Sequence, residues 1–142
     1  MSVTSASATL TFTVASLYDS GFDVSEFSTD RMWSSEAVPL GETMMSVDGH
    51  LTGAFQYNPT KMTFTLQADS TGREFFKEVA AAMRASKEVY WIYGTLTIPG
   101  TGEVITMSKG LLDTYKPVPD GQKALQPIDY SITFESVVAT DL

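Results

Sequence analysis

Asp48 and His50, in the run Val47-Asp48-Gly49-His50-Leu51, are the two side chains whose types and spacing come nearest to acid–base chemistry. On an extended strand, residues i and i+2 share a face, where a carboxylate can orient an imidazole and fix its tautomer. Hydrolysis would also need an activated nucleophile and an oxyanion site, and a metal would need further ligands. Neither accompanies the pair. His50 is the only histidine, there is no cysteine, and Pro99-Gly100-Thr101-Gly102-Glu103 lacks the spacing of a phosphate-cradling loop. The expectation is a chain that is not an enzyme, with no catalytic, cofactor-binding or metal-binding residues, in which Asp48 and His50 belong to a polar strand face.

Aromatic side chains offer a second kind of chemistry. Trp33, Tyr90, Trp91 and Tyr93 could serve as stacking platforms for a sugar, which defines the alternative reading, a monomeric β-sandwich module that binds carbohydrate or a receptor. Tyr90, Trp91, Ile92 and Tyr93 sit in a strand pattern, however, where such residues are favoured for ordinary pleated packing, in a core or an interface. Trp33 lies in an irregular stretch and must either tuck back onto the domain or meet a partner.

Composition bounds the rest. A chain of 142 residues with 43% hydrophobic residues is the size of one domain with its own core. No run of about 18 apolar residues is present and the Ser/Thr/Ala-rich start lacks a basic region, so neither a membrane span nor a secretion signal is expected. Without cysteine, stability must come from packing and association, which fits assembly in a reducing cytoplasm. The formal charge is −8, from 17 Asp and Glu against 9 Lys and Arg. That balance gives solubility, and it also describes a surface that polyanions touch without sticking, because it repels phosphate backbones.

These residues must be positioned mainly by strands. Leu10, Phe12 and Val14 alternate with threonines in a first strand, and Thr43 to Gln67 reads as two long strands around one turn at Asn58-Pro59. In that hairpin Val47, Leu51, Phe55 and Tyr57, then Met62, Phe64 and Leu66, form an apolar face. The opposite face carries Asp48, His50, Thr52, Ala54 and Gln56, then Thr63, Thr65 and Gln67. A single helix is predicted over about 71–85, capped by Asp69 or Ser70, with Phe75, Phe76, Val79, Ala80 and Met83 on its buried side. Glu88 to Ile98 and Val104 to Leu112 form a hairpin, and a last strand runs from Ile128 to about Val138. The fold class is therefore mainly β: an antiparallel β-sandwich or partial barrel with one short helix, as a single domain over 1–142. From Tyr18 to Glu42 the alternation fails, leaving a long irregular loop at about 18–42 in which Phe22 to Phe27 and Asp30 to Ser34 have the composition of short strands.

Several stretches together resemble the tail tube proteins of contractile-tailed bacteriophages. They are Val47-Asp48-Gly49-His50-Leu51, Tyr57-Asn58-Pro59, and Thr63 to Ser70 before the helix. Further along come Gly94-Thr95-Leu96-Thr97-Ile98-Pro99, Gly110-Leu111-Leu112, Lys116-Pro117-Val118-Pro119-Asp120 and Leu125-Gln126-Pro127. The resemblance covers roughly Val47 to Val138 and is one of order and composition.

What it implies is a structural virion protein with a phage tail-tube-like fold, whose copies form hexameric rings stacked into the conduit for DNA ejection. Its partners would be other copies of itself, the tail sheath, baseplate and tail terminator proteins, and DNA in transient non-specific passage; it would be assembled in the cytoplasm of the bacterial host and reside in the virion tail. Under this reading the polar face of the Thr43 to Gln67 hairpin lines the lumen, through Asp48, His50, Thr52, Gln56, Thr63, Thr65 and Gln67. The loop at about 18–42 makes the inter-ring contact, through Phe22, Phe27, Met32, Trp33 and Val38. Long amphipathic strands with open edges independently require closure, which a ring of heterologous contacts supplies.

Overall fold

The computed structural model describes residues 8–24, 33–68, 70, 72–118, 121 and 125–141. Nine strands and one helix follow in the order β1 (Thr9–Val14), β2 (Tyr18–Val24), β3 (Trp33–Ser35), β4 (Gly41–Met45), β5 (Leu51–Phe55), β6 (Thr60–Leu66), α1 (Gly72–Ser86), β7 (Ile92–Ile98), β8 (Glu103–Thr114) and β9 (Ile128–Asp141). Seven of them form one antiparallel sheet in the order β2-β1-β7-β8-β9-β6-β3, and β4 and β5 form a separate two-stranded ribbon.

The large sheet is strongly curled. Strands β1 and β6 stand four places apart in it, a separation of roughly 19 Å if the sheet were flat. Yet the rings of Phe12 on β1 and Phe64 on β6 meet edge to face with centroids 5.4 Å apart. The sheet therefore closes over its own concave side into a β-sandwich-like partial barrel, and alternation along each strand sends Leu10, Phe12, Val14, Met62, Phe64, Leu66, Ile128, Tyr130, Ile132 and Phe134 inward. Helix α1 fills the enclosed space. Phe75 stacks on Phe12 at 4.9 Å and Phe76 stacks on Tyr130 at 4.3 Å, both fully buried. Mainly β, antiparallel, with one helix: this is the expected fold class.

The helix lies within a residue of its predicted bounds because its ends are written in local chemistry. The Ser70 hydroxyl accepts the Gly72 N–H at 3.1 Å as an N-cap. At the other end Lys87 adopts a left-handed conformation, φ 61°, and its N–H reaches the Met83 carbonyl at 2.9 Å. Asp69, the other expected cap, lies outside the described residues.

Four expected strands differ. The Thr43 to Gln67 hairpin does not exist as one unit: the chain turns at Ser46 to His50, where Gly49 takes φ 89° and Ser46 N–H donates to the His50 carbonyl at 2.8 Å. Asp-Gly with a positive φ is itself a hairpin turn signal, and it outweighs the alternation of Val47 with Leu51. Asn58-Pro59 instead forms the connection by which β6 leaves the ribbon to join the large sheet. The strand expected from Glu88 begins at Ile92, and the last strand runs on to Asp141. Within the stretch 18–42, β2 and β3 extend the two ends of the sheet.

Candidate assembly interface

The ribbon is the least buried part of the described chain. Every residue of β4 and β5 is exposed. Its register, Gly41↔Phe55, Thr43↔Gly53 and Met45↔Leu51, puts Met45, Leu51 and Phe55 on one face, with Glu42, Met44, Thr52, Ala54 and Gln56 on the other. The period-2 pattern in β5 is thus as read from sequence, but its apolar face does not pack on the domain. Leu51 is 64% and Phe55 67% exposed, and Leu40 and Tyr57 at the ribbon's base are 72% and 92% exposed. A two-stranded hairpin alone is marginal in water, and contiguous apolar surface of this kind marks an interaction site.

Local bonds hold the ribbon's shape. Gln56 N–H donates to the Leu40 carbonyl at 3.0 Å, and the Asn58 amide donates to the Pro39 carbonyl at 2.9 Å. On the polar face Gln56 Nε2 donates to Glu42 Oε2 at 3.1 Å and Thr52 Oγ1 to the Met44 carbonyl at 3.2 Å. Gly41 is required at the base, since a Cβ there would stand 2.5 Å from the Ala54 carbonyl oxygen. At the tip the Ser46 hydroxyl bonds the Asp48 carboxylate and the His50 backbone.

Asp48 and His50 are therefore neighbours on a turn, not on a strand face. His50 Nε2 is 3.8 Å from Asp48 Oδ2, with side chains 80% and 74% exposed, so water competes for both. Among the described residues no three His, Cys, Asp or Glu side chains converge to hold a metal ion, and no helix is long and apolar enough to cross a membrane.

The seven lumen candidates divide between two surfaces. Asp48, His50, Thr52 and Gln56 share the ribbon. Thr63 and Thr65 lie on the face of the large sheet opposite the core, because β6 pairs with β9 and not with β5, and there Thr65 is buried, at 4% exposure, and Thr63 half-buried; Gln67 follows β6 and is half-buried. There Thr65 donates to Asp129 at 2.6 Å, Thr63 contacts Ser131 at 3.3 Å, and Thr133 donates to Asp113 at 2.6 Å, with Lys61 Nζ 3.7 Å from the Asp113 carboxylate. This outer face is a ladder of hydroxyls and carboxylates. The Thr133 hydroxyl, then those of Thr114 and the Lys61 ammonium, hold the Asp113 carboxyl below the usual carboxylate range against the opposing effect of its partial burial.

The loop candidates divide as well. Phe22 on β2 packs against Tyr18 and Phe75, and Trp33 on β3 pairs with Phe64, so both serve the body. Val38 lies at the ribbon's base, in the groove facing β9. Phe27 and Met32 lie outside the described residues. Trp91 is 42% exposed, but Lys109, held at φ 50° where β7 and β8 slip register, sets its ammonium 4.9 Å from the ring centroid and covers that face. Sequence reasoning missed the ribbon as a separate unit; Asp48-Gly49 and the absence of any Lys or Arg between Trp33 and Thr60 were its available signals.

Comparison with known proteins gives the setting. No curated protein matches the chain. Among solved structures, a chain of the six-fold symmetrised cryo-EM structure of the anti-feeding prophage baseplate has the same fold, with a TM-score of 0.61 and 10% identity, covering 94% of this chain and 92% of that one. The family described as tail fiber protein gp32 matches residues 1–138. With nearly its whole length accounted for, the chain belongs to that family, and so to the structural proteins of phage tails.

Proposed function

We propose that the chain is a tail tube subunit, a non-enzymatic structural protein whose copies close into six-membered rings and stack to form a conduit for DNA. The observation that carries this reading is the ribbon: a strand pair with one apolar face that finds no cover on its own domain. A heterologous contact between one copy's ribbon and the next copy's body propagates, giving a ring when the rotation closes. The shared fold with a chain of a six-fold symmetrised baseplate supports the ring number. Sheath, baseplate and terminator proteins would be its neighbours in the virion tail, after assembly in the host cytoplasm.

With the apolar face covered by a neighbour, the other side and tip of the ribbon stay wet. Asp48, His50, Thr52 and Gln56 are then the channel-facing set. A segment with Glu36, Glu42 and Asp48 and no Lys or Arg from Trp33 to Thr60 keeps a polyanion centred by repulsion, where lysines would impose friction on each phosphate.

Negative-stain electron microscopy of concentrated protein is the direct test. Rings or hollow filaments of constant diameter are expected from the wild type, and folded monomers from a variant in which Gly41 to Phe55 is replaced by a short Gly-Ser linker. Tubes formed equally well by that variant would remove the ribbon from assembly. Asp48→Lys should leave tubes intact and slow genome ejection from matched virions; equal ejection rates would end the channel assignment of Asp48.

A further inference from the structure

The described methionines divide between two environments. Met62 and Met107 are 2% and 1% exposed in the core, and Met83 packs against it. Met44 and Met45, neighbours on β4, are 70% and 63% exposed. Adjacent residues of a strand point to opposite faces. Met45, opposite Leu51, therefore shares the apolar face with Phe55, and Met44, opposite Thr52, shares the polar face with Glu42.

A thioether packs much as a leucine side chain does, but its sulfur can be oxidised. Peroxide converts it to the sulfoxide: an S–O bond forms as the O–O bond breaks, the sulfur gives up two electrons, and the peroxide is reduced to water. The product carries a strong hydrogen-bond acceptor in place of a very weak one. On a face in water that oxygen is solvated. On a face that another molecule must cover with apolar atoms, it is buried without a donor. The ribbon itself would keep its shape, since its bonds run through the backbone and through Ser46, Thr52 and Asn58, and none of them uses a thioether.

Resting on the assembly reading above, we propose that Met45 is an oxidation-sensitive modification site: its sulfoxide, formed by a peroxide, holds the free subunit out of assembly. Met44 is an internal control one residue away. It is as open to peroxide as Met45, yet its sulfoxide lies on the side that stays wet, so assembly tolerates it. Once copies have joined, the two diverge again, Met45 covered by a neighbour and Met44 still reachable. The step is reversible, because methionine sulfoxide reductases return the thioether at the expense of a dithiol. Met62 and Met107 take no part, since their burial keeps peroxide away.

The free subunit is treated with limiting hydrogen peroxide, concentrated until it assembles and sedimented, and fragment mass spectrometry locates the added oxygen in each fraction. Met45 sulfoxide should be depleted about tenfold or more in the pellet relative to the supernatant, the ratio that one buried acceptor without a donor supplies. Met44 sulfoxide should divide evenly. Preformed tubes treated in the same way should be oxidised at Met44 and spared at Met45. Full oxidation should abolish assembly of wild type and of Met44→Leu, spare Met45→Leu, leave the monomer's melting temperature unchanged, and be undone by methionine sulfoxide reductase with dithiothreitol. If untreated wild type assembles and Met45 sulfoxide enters the pellet as freely as Met44 sulfoxide, Met45 is not a switch, although the ribbon's role in assembly stands. That partition needs no substitution, so it decides the matter even where Met45→Leu does not assemble. Untreated wild type that stays monomeric at every concentration overturns the assembly reading, and this inference with it.

Discussion

The body and the ribbon are built from similar strands and have opposite fates. In the body, alternation along β1, β6 and β9 delivers one apolar face to a core completed by α1. In β4 and β5 the same alternation delivers Met45, Leu51 and Phe55 to water. Hydrophobic patterning thus specifies a face, and topology decides what covers it. Strand β6 finds β9 and β3; the ribbon finds only itself. An exposed apolar face of this kind is what an interaction site looks like.

Paired substitutions break the comparison most sharply. Phe75→Ala removes a fully buried ring that touches Phe12, Phe76, Tyr18 and Phe22, and should cost about 3–5 kcal/mol in urea denaturation. Phe55→Ala removes a ring of equal size from the ribbon, and monomer stability should change by less than about 0.5 kcal/mol while assembly is lost. If Phe55→Ala also destabilised the monomer by several kcal/mol, the ribbon would be packed in solution and the contrast would fail.

The same division explains how much was legible in the sequence. The helix, the Ile128 strand and the inward set of the core followed from periodicity and caps, because each is settled by local chemistry plus one burial partner. The ribbon was misread because Val47, Leu51 and Phe55 share an alternation with Met62, Phe64 and Leu66 across Asn58-Pro59. Nothing local says that β6 pairs with a strand nearly seventy residues away instead of the one just before it. Thr63 and Thr65 were assigned to the same wall as Asp48 for that reason. Phe22 and Trp33 lie in short strands near the two segments whose composition suggests them, and what the aperiodic stretch conceals is that their side chains pack against the core. The lumen and ring assignments depend on a neighbour's position, which one chain does not encode.

Glycines extend the comparison at lower cost. A Cβ at Gly110 would stand 2.5 Å from the Phe134 ring and 2.7 Å from Ile132, both fully buried, so Gly110→Ala should cost about 1–3 kcal/mol through overpacking. At Gly53 in the ribbon the nearest atom is the Glu42 carbonyl oxygen at 3.8 Å, an ordinary contact. Gly53→Ala should be neutral to within about 0.5 kcal/mol in the monomer. Equal midpoints for the two variants would mean that the Gly110 site relaxes freely, contrary to a close-packed core.

The smallest expected effect separates the two polar surfaces. On the outer face of the body Asp113 is held by the Thr133 hydroxyl, with Thr114 and Lys61 adding to it, and its carboxyl titrates below the ordinary range. A depressed folded-state pKa stabilises the fold fully above the unfolded value, about 3.9, and that contribution is lost as pH falls through the lower folded value. Wild type should therefore lose stability on acidification below roughly pH 4, by no more than about 1 kcal/mol from this site, because the group is partly solvated and screened. Asp113→Asn should lie lower at neutral pH and converge with wild type in acid, and Thr133→Val should reproduce most of that convergence, since the Thr133 bond is the largest cause of the shift. Urea midpoints of the three proteins between pH 2 and 7 decide it. Curves for wild type and Asp113→Asn that stay parallel to the lowest pH would show that the hydroxyl ladder holds Asp113 no more firmly than water does, and that the body's outer face is as uncommitted as the ribbon.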